Sequence, residues 1–156
     1  MAREISFQDF GKVLNDMIPS VQEKLEQTIK LCCEKVRSEI QYDMAHTPRD
    51  TSKVYYTKNK TKGHNPSLPG NPPAPDTGNL RDSIRYEVHN ENKEVYGIVG
   101  TTQKDPPYGA YLEYAEYGNS KMAPRPWLRP AMIKNEDWIK SSISKAVAAG
   151  IKGVGK

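Results

Sequence analysis

Six prolines and two glycines fall within residues 46–76: Pro48, Pro66, Pro69, Pro72, Pro73, Pro75, Gly63 and Gly70. Proline removes a backbone donor and bars its predecessor from the helical region. The spacing therefore predicts neither a helix nor a regular sheet across this stretch. Regular structure has to be built from what lies on either side. A loop of this length in a small domain is usually functional or disordered. Without apolar periodicity, 46–75 is expected to be mobile, with Val54-Tyr55-Tyr56 as a short strand-like patch.

On the N-terminal side the pattern is helical over 6–45. Ser6-Phe7-Gln8-Asp9 reads as a helix start with Ser6 as N-cap. Phe7, Phe10, Val13, Leu14, Met17 and Ile18 follow at helical spacing. Pro19 is expected to interrupt, and Ser20-Val21-Gln22-Glu23 to restart with a capping box. From there Val21, Leu25, Ile29, Cys32, Val36, Ile40 and Met44 form one apolar stripe on a helix of roughly 20–45, about 39 Å long. The stripe holds no strict heptad with paired flanking charges, so a coiled coil is not expected.

On the C-terminal side Asp76 or Thr77 is placed to cap a short helix ending near Ser83. Ile84, Tyr86 and Val88 then alternate with Arg85, Glu87 and His89, the period of a half-buried strand. Asn90-Glu91-Asn92-Lys93 is turn chemistry, and Val95 to Thr101 reads as a second, antiparallel strand. Gly97 and Gly100 point to a bulge or a close backbone approach. Tyr108 to Gly118 reads as a helical turn. The alternate prolines of 122–130 force an extended run, and Pro130 suits the first position of a C-terminal helix. Two strands alone are marginal, so a third is expected from 119–129, from 54–57 or from a neighbouring subunit.

The reading is one α+β domain over 1–156: a helical part 6–45, a Pro/Lys-rich loop 46–76, sheet and aromatic turn 77–130, and a C-terminal helix 131–149. The long N-terminal helix and the C-terminal helix are expected to pack on the small antiparallel sheet. A chain of 156 residues buries enough surface to fold without disulfide or metal. Cys32 and Cys33 are adjacent on a helix and cannot bridge without strain. A reducing compartment follows, with one cysteine in the core and one half exposed. No apolar leader and no run of ~20 apolar residues appears, so neither a signal peptide nor a membrane partner is expected.

Charge excludes little. The balance is 23 basic against 19 acidic residues, a net +4, which bears on solubility and steering but not on fold. Lys53, Lys58, Lys60 and Lys62 form the one dense basic run, more simply read as a solvated loop. With Tyr55 and Tyr56, the loop 53–62 is the basis of an alternative reading as a nucleic-acid-binding module, by stacking and phosphate contact. No catalytic constellation emerges. His46, His64 and His89 are dispersed, no metal-ligand spacing occurs, and Ser83 and Ser120 lack a base. No catalytic, cofactor or metal site is assigned, and no enzymatic role is expected.

Three segments carry a resemblance: Pro69 to Ile84, with Thr77, Gly78, Leu80 and Ile84; the aromatic–acidic run Tyr108 to Gly118; and Met122-Ala123-Pro124-Arg125-Pro126-Trp127-Leu128-Arg129-Pro130-Ala131. In this order they resemble the head–tail joining family of long-tailed bacteriophages and prophages, called neck, tail-completion or minor tail proteins. In the aromatic run either Tyr111-Leu112-Glu113-Tyr114 or Tyr114-Ala115-Glu116-Tyr117 answers to the family motif. Asn119 stands where the family usually has Thr. The resemblance implies a structural subunit of the virion's head–tail junction, made in the bacterial host cytoplasm. It implies a ring of copies, read as a hexamer, between connector or head-closure proteins and tail proteins. DNA would cross the ring without sequence-specific binding. Tyr108, Tyr111, Glu113, Tyr114, Glu116, Tyr117, Arg125 and Arg129 are the expected interface, Tyr, Trp and Arg being enriched there. Trp127 is expected in the core, with Gly118, Pro124, Pro126, Leu128 and Pro130 as structural motif positions.

Overall fold

The computed structural model describes residues 7–56, 63–92, 94–101 and 108–153, with side chains for those from 12 on except 108–110. The order is α1 (Phe7–Ala45), β1 (Tyr55–Tyr56), β2 (Gly63–His64), α2 (Asn79–Asp82), β3 (Ile84–Glu91), β4 (Glu94–Thr101), α3 (Tyr108–Tyr117) and α4 (Arg129–Lys152). The fold is α+β: helices flank two small antiparallel sheets, β1–β2 and β3–β4.

α1 runs unbroken through Pro19, which corrects the expected interruption. A proline inside a helix costs about 3 kcal/mol by losing one bond to residue i−4. Ser20 is accordingly no N-cap: its hydroxyl donates to the Gly150 carbonyl of α4 at 3.2 Å. Ser6 lies outside the described residues.

Two compact units emerge, neither a continuous stretch of sequence. One comprises 1–33, 87–98 and 136–156; the other 34–86 and 99–135. In the first, β4 lies against α1 so closely that a Cβ on Gly97 would meet Cys33 Sγ at 2.2 Å and Ile29 Cγ2 at 2.9 Å. The close approach read from Gly97 is therefore real, while Gly100 has open space around it. The same contact buries Cys33 along with Cys32, so the expectation of one half-exposed cysteine fails. Burial raises both thiols above the usual range. Asn90 Nδ2 donates to Glu26 Oε2 at 2.9 Å, the polar counterpart of this packing.

In the second unit Val36, Ile40 and Met44 of α1 are buried with Ile84, Leu112, Ala115, Trp127 and Ala131. Lys134 of α4 pairs with Glu39 of α1. Arg37 lies 5.9 Å over the Tyr86 ring, and Gln41 Nε2 donates to the Arg81 carbonyl at 3.1 Å.

The Pro-rich segment departs from expectation. Tyr55 pairs with His64 and Tyr56 with Gly63, so a short sheet survives the proline density, because no proline falls within these paired residues. Around it, side chains hold the extended backbone. Thr47 Oγ1 donates to the Pro72 carbonyl at 2.9 Å. Arg49 donates to the Asn65 and Pro75 carbonyls at 3.2 and 2.9 Å. Asp50 N–H donates to the Pro66 carbonyl and Leu68 N–H to that of Pro48. Pro73 and Ser67 are fully buried. This network joins backbone groups on both sides of residues 57–62, which lie outside the described residues. No third strand joins β3–β4 among the described residues: within 54–57, Tyr55 and Tyr56 pair with β2 instead, residue 57 lies outside the described residues, and Asn119–Met122 is an isolated bridge. α2 also differs in detail. Its cap position is Gly78, with no side-chain cap bond; Thr77 Oγ1 accepts the Asn79 N–H at 3.4 Å.

Candidate interaction surface

α3 and the start of α4 are joined by an extended run, and one carboxylate fixes how they meet. Glu116, near the end of α3, accepts the backbone N–H groups of Trp127, Leu128 and Arg129 at 2.8, 3.0 and 3.0 Å. These are among the donors a helix N-terminus leaves without partners, and a negative charge there also faces the positive end of the helix dipole. Pro130, in the first turn of α4, has no N–H to satisfy.

Gly118 makes the reversal possible. Its φ is +76°, and its N–H donates to the Tyr114 carbonyl at 2.7 Å, ending α3 in the left-handed cap. A Cβ there would stand 2.9 Å from Pro124 Cδ. Arg125 N–H then donates to the Ala115 carbonyl at 2.6 Å. Beneath the turn the Trp127 indole is buried, its Nε1 donating to the Leu112 carbonyl at 3.2 Å.

The same arrangement turns the rest of α3 outward. Leu112 and Ala115 are buried, whereas Tyr111, Tyr114 and Tyr117 are exposed, Tyr117 by 63%. Of the two meanings open to the tyrosine spacing, core or surface, the geometry takes surface. Arg129 lies with Cζ 5.2 Å over the Tyr117 ring. Ile133, one turn along α4, is 64% exposed. Between them is a groove of about 650 Å³ lined by Tyr117, Pro124, Pro126, Pro130 and Ile133, with Glu116, Arg129 and Lys134 at its polar parts.

Not every residue expected at the interface is offered to a partner. Glu116 is engaged with α4. Arg125 is half-buried, and its Nε and Nη2 donate to the Ser67 carbonyl at 3.2 and 3.1 Å, so it points into its own unit. Glu113 is exposed, and the Tyr108 side chain lies outside the described residues. Of the two Tyr–Glu repeats, only the second uses its carboxylate to join two helices. The sequence carries no local signal for this, because the acceptor and its donors are 11–13 residues apart. Leu80 and Leu128 are half-buried and Ile84 fully buried; Pro126 is half-buried and Pro124 exposed.

A second set of exposed apolar side chains lies in the other unit, near the start of α1: Val13, Leu14 and Ile18. No group of three or more His, Cys, Asp or Glu side chains able to hold a metal ion occurs among the described residues. No described helix is long and apolar enough to cross a membrane. Comparison with protein-family models, with curated proteins and with solved structures returns no match.

Proposed function

We propose that the chain is a structural assembly subunit that joins copies of itself into a closed ring, as the resemblance to phage head–tail joining proteins implies. The observation that carries this reading is the apolar groove with Tyr117, Arg129 and Ile133 at its rim. Its occupant is the α1 ridge Val13–Leu14–Ile18 of the next copy. The two surfaces differ, so the contact is head-to-tail, and repeated head-to-tail contacts close into rings when the rotation allows. In the virion such a ring would lie between capsid connector and tail, with DNA crossing its channel, and its work would be recognition and not catalysis.

A mixing experiment tests the contact. Leu14→Asp removes the ridge and leaves the groove; Ile133→Asp removes the groove and leaves the ridge. Each variant alone should stay monomeric. An equimolar mixture should stop at a two-copy complex, since one intact ridge meets one intact groove. A mixture that remains monomeric, or either variant still forming large species, would refute this contact.

A further inference from the structure

Behind β1–β2, in the same unit, the chain closes a recess of about 400 Å³. Its wall is basic: Lys53, His64, Lys121 and Arg125 line it, and among the described residues no acidic side chain does. The nearest offset is Asp50, 3.7 Å from Lys53 Nζ. Arg125 commits two of its five N–H groups to the Ser67 carbonyl, which fixes the guanidinium plane against the wall. Nδ1 of His64 faces Arg49 Nη1 at 3.5 Å. A cation on that side favours the tautomer that carries its proton on Nε2, a donor. The Ser67 hydroxyl is buried without a hydrogen-bond partner, so the wall holds a further unused polar group. Tyr55 and Tyr111 are also in the lining, and Tyr55 is 58% exposed, giving a flat ring a surface to lie on.

Three permanent cations around a half-polar recess exceed what one carboxylate would balance. They match a phosphate, which accepts charge-assisted bonds on several oxygens. We propose that this recess binds a phosphate group carried by a nucleotide, either free or within a nucleic-acid strand, with the base against Tyr55. The site shares Lys53 and Tyr55 with the basic loop noted in the sequence. No residue that lines it also lines the groove of the ring contact, so neither depends on the other.

The test follows the His64 Cε1–H resonance of the full chain at fixed pH and ionic strength, with chloride as the balancing ion. Inorganic phosphate, thymidine monophosphate and a short oligothymidylate are titrated separately. Saturation by the monophosphate at about tenfold lower concentration than by inorganic phosphate is expected, because the base adds stacking. Saturation by the oligothymidylate alone would assign the phosphate to a strand; saturation by the monophosphate would assign it to a free nucleotide as well. Lys121→Glu changes an exposed side chain, leaves the fold intact, and should weaken the response at least tenfold. Non-saturating shifts with all three probes, or an unchanged midpoint in Lys121→Glu, would overturn the proposal.

Discussion

The Pro-rich segment and the β3–β4 ribbon solve one problem by different physics. Both must pair backbone groups that no helix takes. In the ribbon each strand supplies the other's partners, and one face is applied to α1 so tightly that Gly97 has no room for a methyl group. In the Pro-rich segment and its counterpart at 122–130, much of the pairing comes from side chains: Thr47, Arg49, Arg125 and Glu116 each reach backbone groups of an extended run. The first device is periodic and tolerates exchange of one apolar residue for another. The second depends on single side chains, so its losses should be abrupt. Order in a protein does not require a repeating pattern; it requires that polar backbone groups find partners.

The comparison predicts a ranking of effects. Trp127→Ala should cost the most, about 3–5 kcal/mol, through the cavity left under the turn; an unchanged denaturation midpoint would place the indole outside the core. Glu116→Ala should cost about 2–3 kcal/mol, because three N–H groups at the start of α4 lose a charged acceptor at once. Glu113→Ala, on the same helix but exposed, should change stability by no more than about 0.5 kcal/mol. Equal losses at 113 and 116 would abolish the distinction between the two repeats. Gly97→Ala should cost about 1–3 kcal/mol by overpacking against Cys33. Combining it with Cys33→Ala should recover part of that loss, since the two positions share one contact; strict additivity would argue against the close approach.

The smallest expected effect is electrostatic. Burial holds the Asp43 carboxyl above its usual range, although Lys134 opposes the shift. A folded-state pKa above the unfolded one means that the folded chain binds the proton more readily. The ionised form therefore lowers stability at neutral pH, and that penalty disappears as pH falls through the folded value. Asp43→Asn should raise the midpoint slightly at pH 7, with the difference narrowing toward acid. A difference that widens toward acid would contradict the sign.

What the sequence made legible follows from the same contrast. The α1 stripe, the alternation of β3, the end of α3 at Gly118 and the buried Trp127 are all signalled within a few residues of where they act. The continuation of α1 through Pro19 was not legible, because the local penalty of a proline argues against a helix there. Neither was the burial of both cysteines, since Cys33 is covered by a strand more than sixty residues away. At the candidate surface the tyrosine spacing located the exposed face of α3, but the inward roles of Glu116 and Arg125 depend on partners 11–13 and 58 residues distant. Composition and spacing do not encode contacts of that range.

The most direct test of ring assembly is the absolute mass of the purified full chain by light scattering across concentration. The account predicts that mass rises from 17.6 kDa to a plateau set by a closed ring, about 106 kDa for six copies, and that Arg129→Glu keeps the fold but lowers the plateau to the monomer. A mass that stays at 17.6 kDa at every concentration, or a plateau untouched by Arg129→Glu, would contradict it.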